Sequence, residues 1–213
     1  MPEHPHSDVP WPCVRTIYAE TFTMSGLSIE EYRKLTKEER RPRLAQWFPV
    51  NRQSKTIAYW PCAAYGVTQV IWEDGKRVVK SRNASRPWAM GLVSRLRAEG
   101  YKVIQFGHPN DYADCGGGLD ADIDARNGTF MAQIIASLGC GVIIGTASGA
   151  ALALGSYGEG HAQISLLTNH YPGHTRNLEA FAPMNPNNRS FVGLGSADNI
   201  SVDEVVQAVK DMI

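Results

Sequence analysis

The residues best suited to holding a ligand stand in one short run, Gly145-Thr146-Ala147-Ser148-Gly149. The two glycines let the backbone turn sharply and come close to a bound group, and Thr146 and Ser148 add hydroxyls. An apolar segment ends at Ile144 and another begins at Ala150, so the run reads as a strand–turn–helix junction with Ser148 as helix cap. Free amides at a helix start, together with the helix dipole, attract anions such as a diphosphate. The same five residues also make an ordinary tight turn. They are neither a Walker loop, which needs Gly-Lys-Ser/Thr, nor a GxGxxG fingerprint.

Other candidates follow strand-like segments. Pro61-Cys62-Ala63-Ala64 is small enough, above all at Ala63 and Ala64, for a backbone to approach a diphosphate, or simply to pack. Arg82 and Arg86 precede a helix and can neutralise phosphate or serve as surface arginines. His108, Asp111 and His170 are the residues with the chemistry of a general base, although a lone loop histidine more often faces solvent. Thr168, Asn169, His174 and Arg176 fill out the last long loop. Asp120, Asp122 and Asp124 suggest weak cation binding, or a strand with one polar face. No structural metal is expected.

The elements that must position these groups alternate from Lys55 onward. Strands are expected at Thr56–Trp60, Val103–Phe106, Gly141–Ile144 and Ala162–Leu167, with a short one within Leu119–Asp124. Asp74-Gly75 between Val67–Trp72 and Arg77–Lys80 marks a hairpin. Helices are expected from the cap Ser85 to Gly100, over Thr129–Leu138, from Ala150, and from the capping box Ser201-Val-Asp-Glu204 to Ile213. Ile200 and Val205 are placed for a hydrophobic staple. His170–Arg189 reads as loop. Strands alternating with helices imply an α/β fold, a doubly wound Rossmann-like parallel sheet covered on both faces. In such a sheet the ligand lies beyond the carboxyl ends of the strands, here after Trp60, Phe106, Ile144 and Leu167.

Residues 1–54 differ. Four prolines in the first twelve residues discourage regular structure, and two capping signals at Ser28 and Thr36 start short helices. The division expected is an N-terminal arm, 1–54, and a nucleotide-sugar-binding domain, 55–213. From Arg33 to Lys55 basic residues far outnumber the acidic Glu38 and Glu39. That segment is a solvated helical face or a docking patch for a phosphate-bearing acceptor, nucleic acid included. The whole chain of 213 residues is balanced at 21 basic and 21 acidic side chains, so global charge argues for neither nucleic-acid nor membrane binding. Scattered cysteines and the lack of a signal-peptide pattern fit reduced thiols in a cytoplasmic protein. The apolar stretch Ile134–Leu154 is too broken by glycine to be a membrane span.

The order of motifs resembles the C-terminal, donor-binding domain of GT-B glycosyltransferases, in particular the heptosyltransferase-like family (glycosyltransferase family 9). Ile57-Ala-Tyr-Trp-Pro-Cys-Ala-Ala64 resembles that family's strand and small-residue turn. Arg86-Pro87-Trp88, Leu96 through Gly107, Asp124-Ala-Arg-Asn-Gly-Thr129 and Ile134 through Gly149 follow in the family's order, and Ile200 through Val209 looks like its closing helix. This chain has Ala147 where the family usually has Asp, and Ala150-Ala151-Leu152 where Pro and a nearby His are common.

What the resemblance implies is a glycosyltransferase using a nucleotide-sugar donor, with the diphosphate seated at Gly145, Thr146, Ser148 and Gly149. The acceptor is unidentified, a saccharide or a modified nucleobase in DNA among the options. The donor is a substrate; no cofactor is implied, and a divalent cation is not expected to be essential. A full GT-B enzyme carries a second Rossmann domain that residues 1–54 cannot form, so a homodimer is one way to complete the cleft. The alternative is a module that binds a nucleotide or nucleotide sugar without catalysis.

Overall fold

The computed structural model of the chain describes Glu31, Lys34 and residues 52–62, 68–73, 76–81, 83–112, 116–146, 162–168 and 187–213. Glu31 and Lys34 are helical, as the capping box at Ser28 predicts, and Gln53 and Ser54 already belong to the first strand; the rest of the arm up to residue 51, the turn Asp74-Gly75 and the helix expected from Ala150 lie outside the described residues.

Six strands form one sheet: β1 (Gln53–Trp60), β4 (Lys102–Gln105), β5 (Ile123–Asp124), β6 (Cys140–Thr146), β7 (Ala162–Thr168) and β8 (Asn188–Gly193). Their order is β5-β4-β1-β6-β7-β8, and every neighbouring pair is parallel. β6 and β7 read as near-continuous apolar runs because both faces are covered. β2 (Thr68–Glu73) and β3 (Lys76–Ser81) pair antiparallel as a separate ribbon, the expected hairpin.

Helix α1 (Arg86–Ala98) starts where Ser85 Oγ accepts the Trp88 amide at 3.4 Å, and Gly100 at φ +82° follows its end. Helix α2 (Phe130–Leu138) is capped by Thr129 Oγ1, which accepts the Ala132 amide at 3.2 Å. Helix α3 (Val202–Met212) is capped by Ser201, and the staple pair Ile200 and Val205 is buried. Leu92, Val93 and Leu96 of α1 and Val205, Val206 and Val209 of α3 pack on the face that carries Ile57, Tyr59, Val142, Ile144, Ile164 and Leu166. α2 covers the other face, where Ala58, Trp60, Phe106 and Ile143 sit with Ile134. Trp60 stacks on Phe106 with centroids 5.4 Å apart, and its indole N–H donates to Ser137 Oγ at 3.0 Å.

Two expectations need correction. β6 continues through Gly145 and Thr146, which pair with Ser165 and Leu166, so these two residues are strand rather than turn. Residues 188–193, read as loop up to Arg189, form the edge strand β8. Its polar sequence carries no strand signal; pairing with β7 decides its conformation. The short strand expected within Leu119–Asp124 is Ile123–Asp124.

The centre of the sheet depends on a close approach. A Cβ at Gly141 would lie 2.8 Å from the Ser54 Cα and carbonyl carbon, at the point where the β1–β6 register shifts. Gly91 in α1 instead faces open space. Gly141→Ala should therefore cost about 1–3 kcal/mol by forcing β1 and β6 apart. Gly91→Ala should stabilise by about 1 kcal/mol through helix propensity. Urea denaturation of both variants checks the opposite signs.

Candidate functional site

Winding along the chain runs from β1 outward through β4 to β5, then returns to the far side of β1 and runs outward through β6, β7 and β8. The reversal falls between β1 and β6, where Trp60 lies opposite Gly145. Beyond the carboxyl ends of such a strand pair the connections diverge and leave a crevice, the usual ligand position in open α/β sheets.

Polar groups accumulate there on one face. Tyr59 is aligned with Ile144, and Thr146 is two residues further along the same face; Thr146 is aligned with Leu166, and Thr168 is again two further. All three side chains are buried, and among the described residues the hydroxyls of Tyr59, Thr146 and Thr168 have no hydrogen-bond partner. An unsatisfied buried hydroxyl costs about 1–3 kcal/mol. Three in a row at the carboxyl edge is a feature a well-packed core would lack.

Across this niche lies the start of α1. Asp198, in the 3-10 turn Ala197–Asn199, accepts the Ser85 amide at 2.6 Å, and Trp88 Nε1 donates to the Ile200 carbonyl at 2.8 Å. Gly193 ends β8 directly beneath this turn: a Cβ there would meet the Ser196 carbonyl. Burial first, then Cys62 and Asp198, push the Tyr59 hydroxyl well above its ordinary value, so it stays a neutral phenol.

On the β4 side, Cys62, Asp111 and Tyr112 close the crevice. Burial and Asp111 push the Cys62 thiol up to about 12, which keeps it protonated and unreactive. The Tyr112 hydroxyl donates to the Ala84 carbonyl at 2.9 Å and contacts Cys62. Tyr112 holds φ +59°, a left-handed conformation costly for an aromatic residue and concentrated at functional sites. Asp111 Oδ2 accepts the His108 amide at 2.8 Å, and Gly107 must be glycine because a Cβ would collide with that oxygen. Burial raises the Asp111 carboxyl above its ordinary value despite that hydrogen bond and the nearby Arg126.

Each predicted site residue can now be placed. Gly145, Thr146 and Thr168 lie at the carboxyl edge, and Asp111 and His108 beyond β4. His108 is exposed, and its Nδ1 is engaged by the Asn110 amide at 3.1 Å. Asp111, half-buried behind it, is the better-placed base of the two. Arg86 is half-buried and spends its Nε and Nη2 on the Gly118 carbonyl at 3.2 and 3.0 Å. Ala63, Ala64, Arg82, Ser148, Gly149, Asn169, His170, His174 and Arg176 lie outside the described residues.

The aspartate triplet is engaged by arginine. Asp122 accepts from Arg97 Nε at 3.2 Å and from the Val103 amide at 2.8 Å, Asp120 lies 3.7 Å from Arg97, and Asp124 forms a two-pronged pair with Arg126. Arg126, buried, also donates to the Asp111 carbonyl at 2.8 Å. Among the described residues no His, Cys, Asp or Glu cluster suits a metal ion. Cys62 and Cys140 are free. No helix among these residues is long and apolar enough to cross a membrane.

Tyr59, Cys62 and Tyr112 were not singled out by sequence reasoning. The only local hint was a tyrosine at an inward position near a strand end; the φ of Tyr112 leaves no trace in composition.

The arrangement is a doubly wound α/β domain with buried, unpartnered hydroxyls near the carboxyl ends of the strands at its switch point. Comparison with solved structures then fixes the kind of fold. No protein-family model matches the chain, and no curated protein matches its sequence. Solved structures do match. The chain is 16% identical to E. coli ADP-heptose LPS heptosyltransferase II, with 84% of this chain and 52% of that one covered and a TM-score of 0.53. For E. coli heptosyltransferase WaaC with ADP the values are 10%, 80%, 49% and 0.54. For the glycosyl transferase family 9 structure from Veillonella parvula DSM 2008 they are 13%, 93%, 50% and 0.52. The fold is therefore heptosyltransferase-like, of the glycosyltransferase family 9 type, and the chain spans about half the length of these structures.

Because folding raises the Asp111 carboxyl, its contribution to stability is full below the unfolded value of about 3.9 and is lost as pH climbs through the folded one. Asp111→Asn keeps the acceptor for the His108 amide and removes the titration. The melting temperature of the native chain relative to this variant should fall as pH rises above about 4. A difference that stays level or grows would contradict the raised carboxyl.

Proposed function

We propose that this chain is the donor-binding part of a glycosyltransferase, holding a nucleotide sugar in the crevice beyond β1, β6 and β7. The observation that carries this reading is the row of buried, unpartnered hydroxyls at the switch point of a heptosyltransferase-like sheet. Two solved relatives in fold have names that mention ADP-heptose and ADP, which makes a nucleoside diphosphate sugar the first ligand class to try.

The chemistry asked of the site is modest. Stabilising the departing diphosphate and positioning the acceptor hydroxyl are the main contributions, and both come from preorganised dipoles. The turn at Ser148-Gly149 is the proposed diphosphate seat, with Arg82 available for charge. Ala63 and Ala64 would let the β1 turn approach it, and Asn169 would add a polar contact beside it. Asp111 is the proposed base: a carboxyl raised by burial takes the acceptor proton more readily than an ordinary aspartate. His170 is the alternative base. No cofactor is required, since the donor carries the leaving group.

An acceptor surface must face the same edge. A second copy of the chain can supply it, as can the basic segment 33–55, which suits an acceptor bearing phosphate, nucleic acid included. A second reading, favoured by Ala147 where the resembled family usually has Asp, is a module that binds a nucleotide sugar without transferring it.

Thermal-shift screening against UDP, ADP, GDP and CMP sugars tests the first step. A clear rise is expected for at least one, and no rise with any would overturn both readings. With that donor, Asp111→Asn should slow transfer by about 10²–10⁴-fold with little change in donor affinity. Donor binding without turnover in the native chain would leave the module.

A further inference from the structure

The three orphan hydroxyls differ in kind from the turn proposed for the diphosphate. They stand on the α1 and α3 face of the sheet, beneath the 3-10 turn that carries Asp198, and they belong to the strands themselves. A valine at 146 or 168, or a phenylalanine at 59, would fill nearly the same volume with no unsatisfied group. Hydroxyls in these places are therefore unexplained by packing.

The surroundings decide what they can bind. The amide that opens α1, a natural anion donor, is already taken by the Asp198 carboxylate, so the helix start is closed to phosphate. That carboxylate would repel a second anion. Arg126 is held by Asp124, and Arg86 by the Gly118 carbonyl. What matches three neutral groups, each able to donate and accept, is an uncharged partner that also donates and accepts.

We propose that Tyr59, Thr146 and Thr168 form a seat for the hydroxyls of a sugar, separate from the diphosphate contacts and selective for the carbohydrate part of the donor. The seat rests on the nucleotide-sugar reading above and names which part of the ligand these residues hold. Each hydroxyl gains a partner only when sugar is present, so its burial penalty in the empty domain becomes selectivity in the loaded one.

Two arms test the seat. In the first, UDP-glucose and ADP-glucose are titrated calorimetrically against UDP and ADP on the native chain and on Tyr59→Phe, Thr146→Val and Thr168→Val. Each variant should reduce the advantage of nucleotide sugar over nucleotide by about three- to tenfold, the worth of one neutral hydrogen bond, and leave nucleotide affinity unchanged. In the second, free glucose, mannose and galactose are examined by saturation-transfer NMR, with a signal expected from the native chain and lost in Thr146→Val. Thr146→Ser, which keeps the hydroxyl, should keep both readouts and excludes a packing effect.

Equal loss of nucleotide and nucleotide-sugar affinity, no sugar signal from the native chain, or matching losses in Thr146→Ser and Thr146→Val would overturn the seat. Hydroxyl-dependent sugar binding without any nucleotide binding would support the seat and overturn the donor reading. Nucleotide binding with a sugar response indifferent to all three substitutions would do the reverse.

Discussion

Everything in this domain hangs on the pairing of β1 with β6. Their contact is tight enough at one end to require glycine at 141, and at the other end it sets Trp60 beside Gly145. Because β1 is also paired with β4, the chain must leave one side of it and return to the other. That reversal makes the crevice. The helices follow: α1 and α3 cover the face of Tyr59 and Ile144, and α2 covers the face of Trp60 and Ile143.

Buried polar groups then divide into two kinds around this axis. On the β4 side they are mostly matched. Gln133 accepts the Gly107 amide and donates to the Gly128 carbonyl, Gln105 accepts the Leu119 amide, and Arg126 joins Asp124 to the Asp111 carbonyl. Such a network fixes the backbone that presents Asp111. At the carboxyl ends of β1, β6 and β7 the hydroxyls of Tyr59, Thr146 and Thr168 are unmatched among the described residues, whereas Thr56 and Ser165 further back on these strands donate to Gln53 and Asn188. A frame that is mostly satisfied, with Gln105 Nε2 as its exception, stands next to an edge that is not.

Much of the scaffold was legible in the sequence. Ser85 and Ser201 announced two helices through local hydrogen bonding, and each caps as its residue type suggests; Thr129 caps a third. The apolar runs of β1, β6 and β7 were equally plain, because strands buried on both faces need no alternation. β8 was not legible: Asn-Arg-Ser-Phe-Val-Gly has little strand character, and only its place beside β7 makes it one. The site was half legible. Chain order located the carboxyl edge and put Thr146, Thr168 and Asp111 there. Tyr59 and Tyr112 emerged only from burial and backbone geometry, and the Asp120–Asp124 triplet looked available for a cation until Arg97 and Arg126 were seen against it.

The central claim is that the ligand sits at the carboxyl edge on both sides of the β1–β6 reversal. Amide chemical-shift mapping of the isotope-labelled chain, titrated with ADP-glucose and UDP-glucose, tests it most directly. The account predicts perturbations gathered at Trp60 and Cys62, at Gly145 and Thr146, at Thr168 and at the Ser85–Arg86 helix start. Perturbations gathered instead at the amino edge, around Gln53, Ser54 and Cys140, or on the outer surface of α3, would contradict it.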